Sequence, residues 1–393
     1  MNILRIIPSL NPRGGGPMEG ARRIDAELTM RGHSVEVVCL DNPSDVSTLD
    51  YPGVVHAFGS SGGTYAYSRD LFSWLKAHAK SFDVAIVNGV WQYHSLAAWR
   101  ALKASDTPYF VFTHGMLDPW FKRTYPIKHV KKALYWLLAE HRVLRDARGV
   151  IFTCEEEKLL ARNSFFPYKC EEIVTAYGTA APPEVSQAAV DAFIEKYPEL
   201  KGTRVLLFMG RLHEKKGCDL ALRAMAEIAK GNSSLRLIMA GPGTPEKVDR
   251  LRSLAESLGI GEKVIWPGML SGNMKWAAFA VAEAFTLPSH QENFGIAVTE
   301  ALACGKPVLI SNKVNIWREI VEDNVGWVGN DDFEGTLRSV RNWLAASDDA
   351  LRSMSVRAKN SFAARYRMPI VVDRLLEVLE SGVGAPVVER DFV

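Results

Sequence analysis

Two glutamates eight positions apart, Glu292 and Glu300, stand either side of a glycine in the stretch LPSHQENFGIAVTEALACGKPVLIS. The apolar run ending at Pro288-Ser289 predicts a strand, and Gly295 predicts the start of a helix that contains Glu300. Amides from about Phe294 to Ala297 would then lack helical acceptors at the positive end of a helix dipole, which suits an anion. Like charges repel, so two carboxylates beside one anion do not both serve it. They suit hydroxyl-rich groups on either side of it, a ribose and a sugar. The plainer alternative is a capping Glu and an exposed helix Glu.

A second cluster reads MGRLHEKKGCDLAL. Arg211 leaves a predicted strand end, and Lys216 follows five residues later, just before Gly217 and a helix. A fork-shaped guanidinium and a compact ammonium beside a helix start suit a diphosphate. Without that context Lys215 and Lys216 would read as solvated turn charges; their place at a strand's carboxyl edge favours the anion reading. His114, in VFTHGMLDPW, sits at another strand end; a lone His there is usually structural, but Gly115 beside it and the loop's location favour a cleft residue. The first loop, PSLNPRGGGPMEGARR, sets Gly14, Gly15 and Gly16 between strand and helix, where backbone amides could approach an anion; a plain flexible turn is the equal alternative. It matches neither the dinucleotide fingerprint nor the P-loop. Thr153 and Glu156 read as a capping box with a structural role. With no H-E-x-x-H and no D-x-D in the chain, neither a metal nor another cofactor is expected.

These residues need strands that end on one edge. Short β-branched runs at Ile3–Ile7, Val35–Leu40, Val84–Val87, Tyr109–Phe112 and Val150–Phe152 alternate with helix-length stretches. A second series follows at Val205–Met209, Leu235–Ala240, Val264–Trp266, Ala284–Leu287 and Val308–Ile310. Apolar strands alternating with helices predict parallel sheets covered on both faces, and a restart after a Pro-rich break at 180–183 predicts two doubly wound units. The boundaries are expected at 1–180 and 181–366, with a last helix at about 367–381. In such sheets ligands bind beyond the carboxyl ends of the strands.

Composition agrees with a folded enzyme-sized chain. There are 393 residues, 47% hydrophobic and 23% charged, with a net charge of +2, which gives no case for a nucleic-acid partner. Five scattered cysteines without a C-x-x-C argue against a disulfide framework or zinc, and a cytoplasmic location is expected. The N-terminal residues lack a signal-peptide apolar region, and no run of 18 apolar residues would span a membrane.

In order and spacing these motifs resemble the retaining GT-B glycosyltransferases of family four, over nearly the whole chain. Four features carry the resemblance. They are Gly14–Gly16 with Arg31-Gly32-His33-Ser34-Val35 after its helix; Thr113-His114-Gly115; Gly210-Arg211 with Lys216-Gly217; and Glu292-x7-Glu300. HGMLDPW further resembles members that build exopolysaccharide, capsule or lipopolysaccharide. The resemblance implies an α/β GT-B fold, two Rossmann-like domains facing a central cleft, with the final helix crossing back to the first. It implies retaining hexosyl transfer from a UDP- or GDP-linked sugar to a saccharide or lipid-linked saccharide acceptor. By position, Arg211 and Lys216 would bind the diphosphate with help from amides of Asn293, Phe294, Gly295 and Ile296. Glu300 would hold the ribose, Glu292 the donor sugar, and Met269 would lie near the base. His114 would contact the transferred sugar near its C6 oxygen, and Gly15 or Gly16 would approach donor phosphate or acceptor. Two positions depart from the family pattern: Ala176-Tyr177-Gly178 stands for a Pro-Asn-Gly junction, and Asn88 stands for a strand-end His. Other readings of the same nucleotide site are a GT-B sugar-nucleotide epimerase and a non-catalytic sugar-nucleotide-binding protein.

One further stretch bears on location. Lys122, Arg123, Lys128, Lys131 and Lys132 are followed by a helical pattern with Val130, Leu134, Leu137, Leu138, His141 and Leu144 on one face. Lys128, Lys131, Lys132, Arg142 and Arg145 fall on the other face, with Tyr135 and Trp136 as neighbouring aromatics. An ordinary domain helix would bury the first face and solvate the second. The sharper expectation is peripheral contact of 122–145 with anionic lipid on the inner face of the cytoplasmic membrane.

Overall fold

β-Branched and aromatic runs form the strands of two separate parallel sheets. The computed structural model describes residues 1–11, 16–46, 50–232 and 234–383. The chain divides into two compact units, Met1–Gly178 together with the helix Met368–Gly382, and Thr179–Arg367. The first unit holds β1 (Asn2–Ile6), β2 (Ser34–Cys39), β3 (Val54–Ala57), β4 (Val84–Asn88), β5 (Tyr109–Phe112), β6 (Gly149–Phe152) and β7 (Glu172–Val174). All neighbours are parallel, in the order β3-β2-β1-β4-β5-β6-β7. The second unit holds β8 (Arg204–Met209), β9 (Leu235–Ala240), β10 (Val264–Gly268), β11 (Ala284–Leu287), β12 (Val308–Ser311) and β13 (Gly326–Gly329). Its order is β10-β9-β8-β11-β12-β13, again parallel throughout.

Central strands such as β4, β5 and β11 are buried along their whole length, as a sheet covered on both faces requires. The sequence pattern finds these and misses β3, β7 and β13. Those three lie at sheet edges, partly exposed, and lack a continuous apolar run. Strand order reverses between β1 and β4 in one sheet and between β8 and β11 in the other. Such switch points open the crevices in which doubly wound sheets hold ligands.

The last helix, Met368–Gly382, packs on the helix Gly16–Met30. Arg31 donates to the Pro369 carbonyl at 2.9 Å and pairs with Asp373. All five cysteines are free thiols.

Candidate functional site

In the second unit the turn after β8 and the loop after β11 meet at the switch point. Gly217 has φ +64°, and a Cβ there would stand 2.1 Å from the Pro288 carbonyl, so only glycine lets the two segments approach this closely. The His290 amide donates to the Lys215 carbonyl at 2.8 Å and fixes the junction. These contacts bring Lys216 onto the Glu292 carboxylate as a half-buried ion pair. The Glu292 backbone is itself held by the segment after β12: its amide donates to the Lys313 carbonyl at 2.9 Å, and its carbonyl accepts from Asn315 at 3.0 Å. Arg211 is exposed beside them. Burial first, then Arg211 and Lys215, hold the Lys216 ammonium down to about 8, a shift that the Glu292 carboxylate opposes while the pair is made. An anion placed against Arg211 and Lys216 would relieve that repulsion.

The helix Ile296–Ala303 opens from Gly295, which has φ +81°; the Val298 amide donates to the Gly295 carbonyl at 2.8 Å, which leaves the Ile296 and Ala297 amides with no acceptor within the helix. Phe294 is buried edge-on against Tyr366, with ring centroids 5.7 Å apart, and anchors the loop between Asn293 and Ile296. Glu300 is buried and accepts from Lys275 at 2.6 Å, an ion pair the sequence pattern does not reveal because Lys275 lies on the separate helix Gly272–Val281. Met269 is 74% exposed beyond β10. Within this unit the structure therefore gathers Arg211, Lys216, Glu292 and the helix start. Glu300 lies one turn further along the same helix. The arrangement offers two cations and a row of amides to an anion, with carboxylates on either side for hydroxyl groups.

The first unit carries the remaining residues. His114 follows β5 with φ +48°, uncommon for a residue with a Cβ, and Gly115 follows with φ +74°. The turn is held by Glu157, which accepts from Thr113 Oγ1 at 2.8 Å, the Gly115 amide at 2.6 Å and the Thr153 amide at 2.7 Å. Thr153 is bonded by the Glu157 carboxylate, which ties β6 to the His114 turn. Asn88 at the end of β4 stands between Arg5 and His114, with its side chain 2.7 Å from the guanidinium and 2.9 Å from Nε2. Arg5 is fully buried in β1 and pairs with Asp25, which also accepts from Tyr51 at 2.7 Å. Burial works against the Arg5 charge, but Asp25 more than offsets it and the pKa lies above the ordinary value. Burial and then Arg5 push the His114 imidazole down to about 3. Gly16 begins its helix, and its carbonyl accepts from Tyr177 at 2.9 Å; Gly15 lies outside the described residues.

The stretch 122–145 departs from the projected helix. Pro126–Tyr135 is α-helical, Trp136–Glu140 is a π-helical turn, and His141–Arg145 resumes the α-helix. The π-turn rotates the register, so Leu144 joins Trp136, Ala139 and Val143 in the interior. Ile127, Val130, Leu134, Leu137 and Leu138 face solvent instead, with Val130 68% and Leu138 65% exposed. Lys132 leaves the predicted basic face and lies over the rings of Trp91 and Phe121, at 4.5 and 5.1 Å. Lys122, Lys128, Lys131 and Arg142 remain exposed among the apolar side chains; the Arg123 side chain lies outside the described residues.

Among the described residues no group of three His, Cys, Asp or Glu is placed to hold a metal, and no helix is long and apolar enough to cross a membrane.

Residues 190–360 match the profile of glycosyl transferases group 1, and residues 15–174 match that of the glycosyl transferase 4-like domain. A D-inositol 3-phosphate glycosyltransferase of Segniliparus rotundus is 32% identical over 192 residues, 47% of this chain. The match spans only 42% of that relative's length. An alpha-monoglucosyldiacylglycerol synthase of Streptococcus pneumoniae is 23% identical over 83% of this chain and 75% of its own. Among solved structures, sucrose-phosphate synthase of Thermosynechococcus elongatus superimposes with a TM-score of 0.76 at 18% identity, covering 97% of this chain and 99% of that one. Anabaena HepE, solved with UDP and glucose, gives a TM-score of 0.76 at 16% identity over 97% and 100% of the two chains.

Proposed function

Because the chain belongs to the group 1 glycosyl transferases, with a 4-like domain preceding the group 1 domain, we propose that it is a retaining hexosyltransferase. It takes a sugar from a UDP- or GDP-linked donor and transfers it to a saccharide or lipid-linked saccharide in exopolysaccharide, capsule or lipopolysaccharide assembly. The observation that carries this reading is the meeting of Arg211, Lys216 and the first turn of Ile296–Ala303 at the switch point of the second sheet. Cleavage of the bond to a diphosphate builds negative charge on the leaving group and oxocarbenium character on the sugar. Arg211, Lys216 and the helix amides, fixed before reaction, stabilise that charge without a metal. Glu300 takes the ribose hydroxyls and Glu292 the donor sugar, so binding exchanges the Lys275 and Lys216 ion pairs for ligand contacts. His114 contacts the transferred sugar. Retention follows when the acceptor attacks from the leaving-group side and a donor phosphate oxygen takes its proton. The relatives support this chemistry: one is a D-inositol 3-phosphate glycosyltransferase, another an alpha-monoglucosyldiacylglycerol synthase.

The exposed face of 122–145 supports an acceptor carried on a membrane lipid. Apolar side chains turned to solvent among Lys122, Lys128 and Lys131 suit insertion at an anionic bilayer surface, where each basic residue contributes ~1 kcal/mol. Co-sedimentation with anionic but not neutral liposomes, lost in a Lys122→Ser, Lys128→Ser, Lys131→Ser variant, is the expected result. Equal binding to both vesicle types refutes the membrane reading. For the donor, a screen of nucleotide sugars by thermal stabilisation is decisive, since a ligand at ~100 times its Kd adds ~2.7 kcal/mol. Failure of every UDP- and GDP-sugar to stabilise the protein refutes the transferase proposal.

A further inference from the structure

We infer that Asn88 sets the tautomer of His114: it relays the polarity of the buried Arg5 guanidinium and keeps the imidazole neutral with its proton on Nδ1. His114 thereby becomes a fixed hydrogen-bond donor to a ligand oxygen, and Asn88 a positioning residue. The assignment follows from donor and acceptor types alone. A guanidinium only donates, so the Asn88 side-chain atom 2.7 Å from Arg5 Nη1 is the amide oxygen. The amide is thus not free to flip, and its Nδ2 donates to His114 Nε2 at 2.9 Å. That nitrogen must present a lone pair, which in a neutral imidazole places the proton on Nδ1. A proton on Nε2 would set two donors face to face.

The surroundings reinforce the relay. Asn88 is buried, and its carbonyl accepts from His94 Nε2 at 2.9 Å, so the backbone that carries the amide is fixed. Arg5 is locked by Asp25 and cannot turn away. Among the described residues no carboxylate bonds the imidazole: Asp25 and Tyr51 lie on the far side of Arg5, and Glu157 bonds Thr113, Gly115 and Thr153. Phe112 stacks on the ring with centroids 5.5 Å apart, and Tyr177 meets it edge-on at 5.9 Å while donating its own hydroxyl to Gly16 and Pro17. The ring is half-buried, and its Nδ1 makes no hydrogen bond among the described residues. Burial and Arg5 keep the ring neutral throughout the range in which an enzyme is assayed. The consequence for transfer rests on the proposed contact between His114 and the donor sugar.

The test is long-range ¹H–¹⁵N spectroscopy of ¹⁵N-histidine-labelled protein without ligand, the His114 signals being identified by their loss in His114→Gln. The wild type should show a protonated Nδ1 and a bare Nε2, with no titration from about pH 5 to about pH 9. In Asn88→Asp the new carboxylate accepts from both Arg5 and His114, so His114 should move to Nε2–H and titrate at higher pH. Asn88→Ala, which only removes the relay, should allow both tautomers. A wild-type Nε2–H signal, or unchanged signals in folded Asn88→Asp and Asn88→Ala, overturns the relay. The transfer assay reads the donor role. Neutral His114 in Asn88→Asp has no Nδ1 proton, whereas its imidazolium has one. The kcat of that variant should therefore fall about tenfold, the loss of one hydrogen bond, as pH rises through the raised pKa, while the wild type does not follow such a step. A variant that shifts tautomer without this fall overturns the donor role. Absence of nucleotide-sugar binding by the wild type would count against the proposed reaction, and the ligand-free spectra still decide the tautomer.

Discussion

Replacing the buried Glu140 by glutamine should stabilise the protein, and only at higher pH. Glu140 sits in the π-helical turn with no exposed surface. One carboxyl oxygen accepts from the Trp91 amide at 3.1 Å, and the other has no hydrogen bond among the described residues. The nearby Ser95 hydroxyl already donates to the Gln92 carbonyl at 2.8 Å. Burial, which outweighs Ser95, Trp91, Tyr135 and Lys132, pushes the carboxyl up to about 7 from an ordinary 4.5. A raised carboxyl contributes stability that is complete below about pH 4.5 and lost as pH climbs through about 7. At ~1.4 kcal/mol for each tenfold displacement the ionised form costs the fold ~3 kcal/mol, less whatever the surroundings relax. Glutamine keeps the shape, carries no charge and can donate an N–H to the oxygen of Ser95 or Tyr135. At about pH 8, Glu140→Gln should exceed the wild type by ~1–3 kcal/mol, or ~2–4 °C in Tm per kcal/mol. Near pH 4.5 the gap should shrink to ~0.5 kcal/mol or less. Calorimetric unfolding at the two pH values measures both. A variant less stable than the wild type at the higher pH, or a gap independent of pH, refutes the reasoning.

The remaining predictions concern the second unit. Arg211→Ala and Lys216→Ala should each lower transfer by ~10²-fold or more, and near-normal turnover in either folded variant removes that residue from the proposed diphosphate site. Glu300→Ala, which leaves Lys275 without its carboxylate, should mainly weaken the bare nucleoside diphosphate; Glu292→Gln should spare that affinity and reduce transfer. Calorimetry showing equal losses in both would end the division of roles. With the Lys216 ammonium held down to about 8 by burial and then Arg211 and Lys215, nucleotide affinity of the wild type should fall as pH rises through about 8; a flat profile contradicts this. Transfer should persist in excess EDTA, and a loss restored by magnesium or manganese would count against a site built from Arg211, Lys216 and helix amides alone.

Much of this was legible because it is local. Strand runs buried on both faces announce themselves in sequence, and Gly217 and Gly295 mark turns next to the residues they position. What escaped was long-range. Lys275 meets Glu300 from a separate helix, Lys313 and Asn315 hold the Glu292 backbone, and Glu157 reaches the His114 turn across two strands. The stretch 122–145 departed from its projection for a different reason. A strict 3.6-residue projection cannot anticipate the π-turn at Trp136–Glu140, so it placed the buried Leu144 with side chains that face solvent; Lys132, grouped with solvent-facing charges, lies instead over Trp91 and Phe121, rings supplied from outside its helix.

The helix Met368–Gly382 makes the first unit discontinuous in the chain, and synthesis must respect that order. The ribosome completes Gly178 and then adds roughly 190 residues of the second unit before the closing helix emerges. At ~5–20 residues per second, that interval lasts ~10–40 s. Throughout it the surface of Gly16–Met30 that the last helix will cover stays open to water, and Arg31 lacks Asp373. The second unit, contiguous from Thr179 to Arg367, can therefore close first although it is made later. A nascent chain stalled before Met368 would present a finished second unit beside an unfinished first, the form that chaperones and proteases would meet.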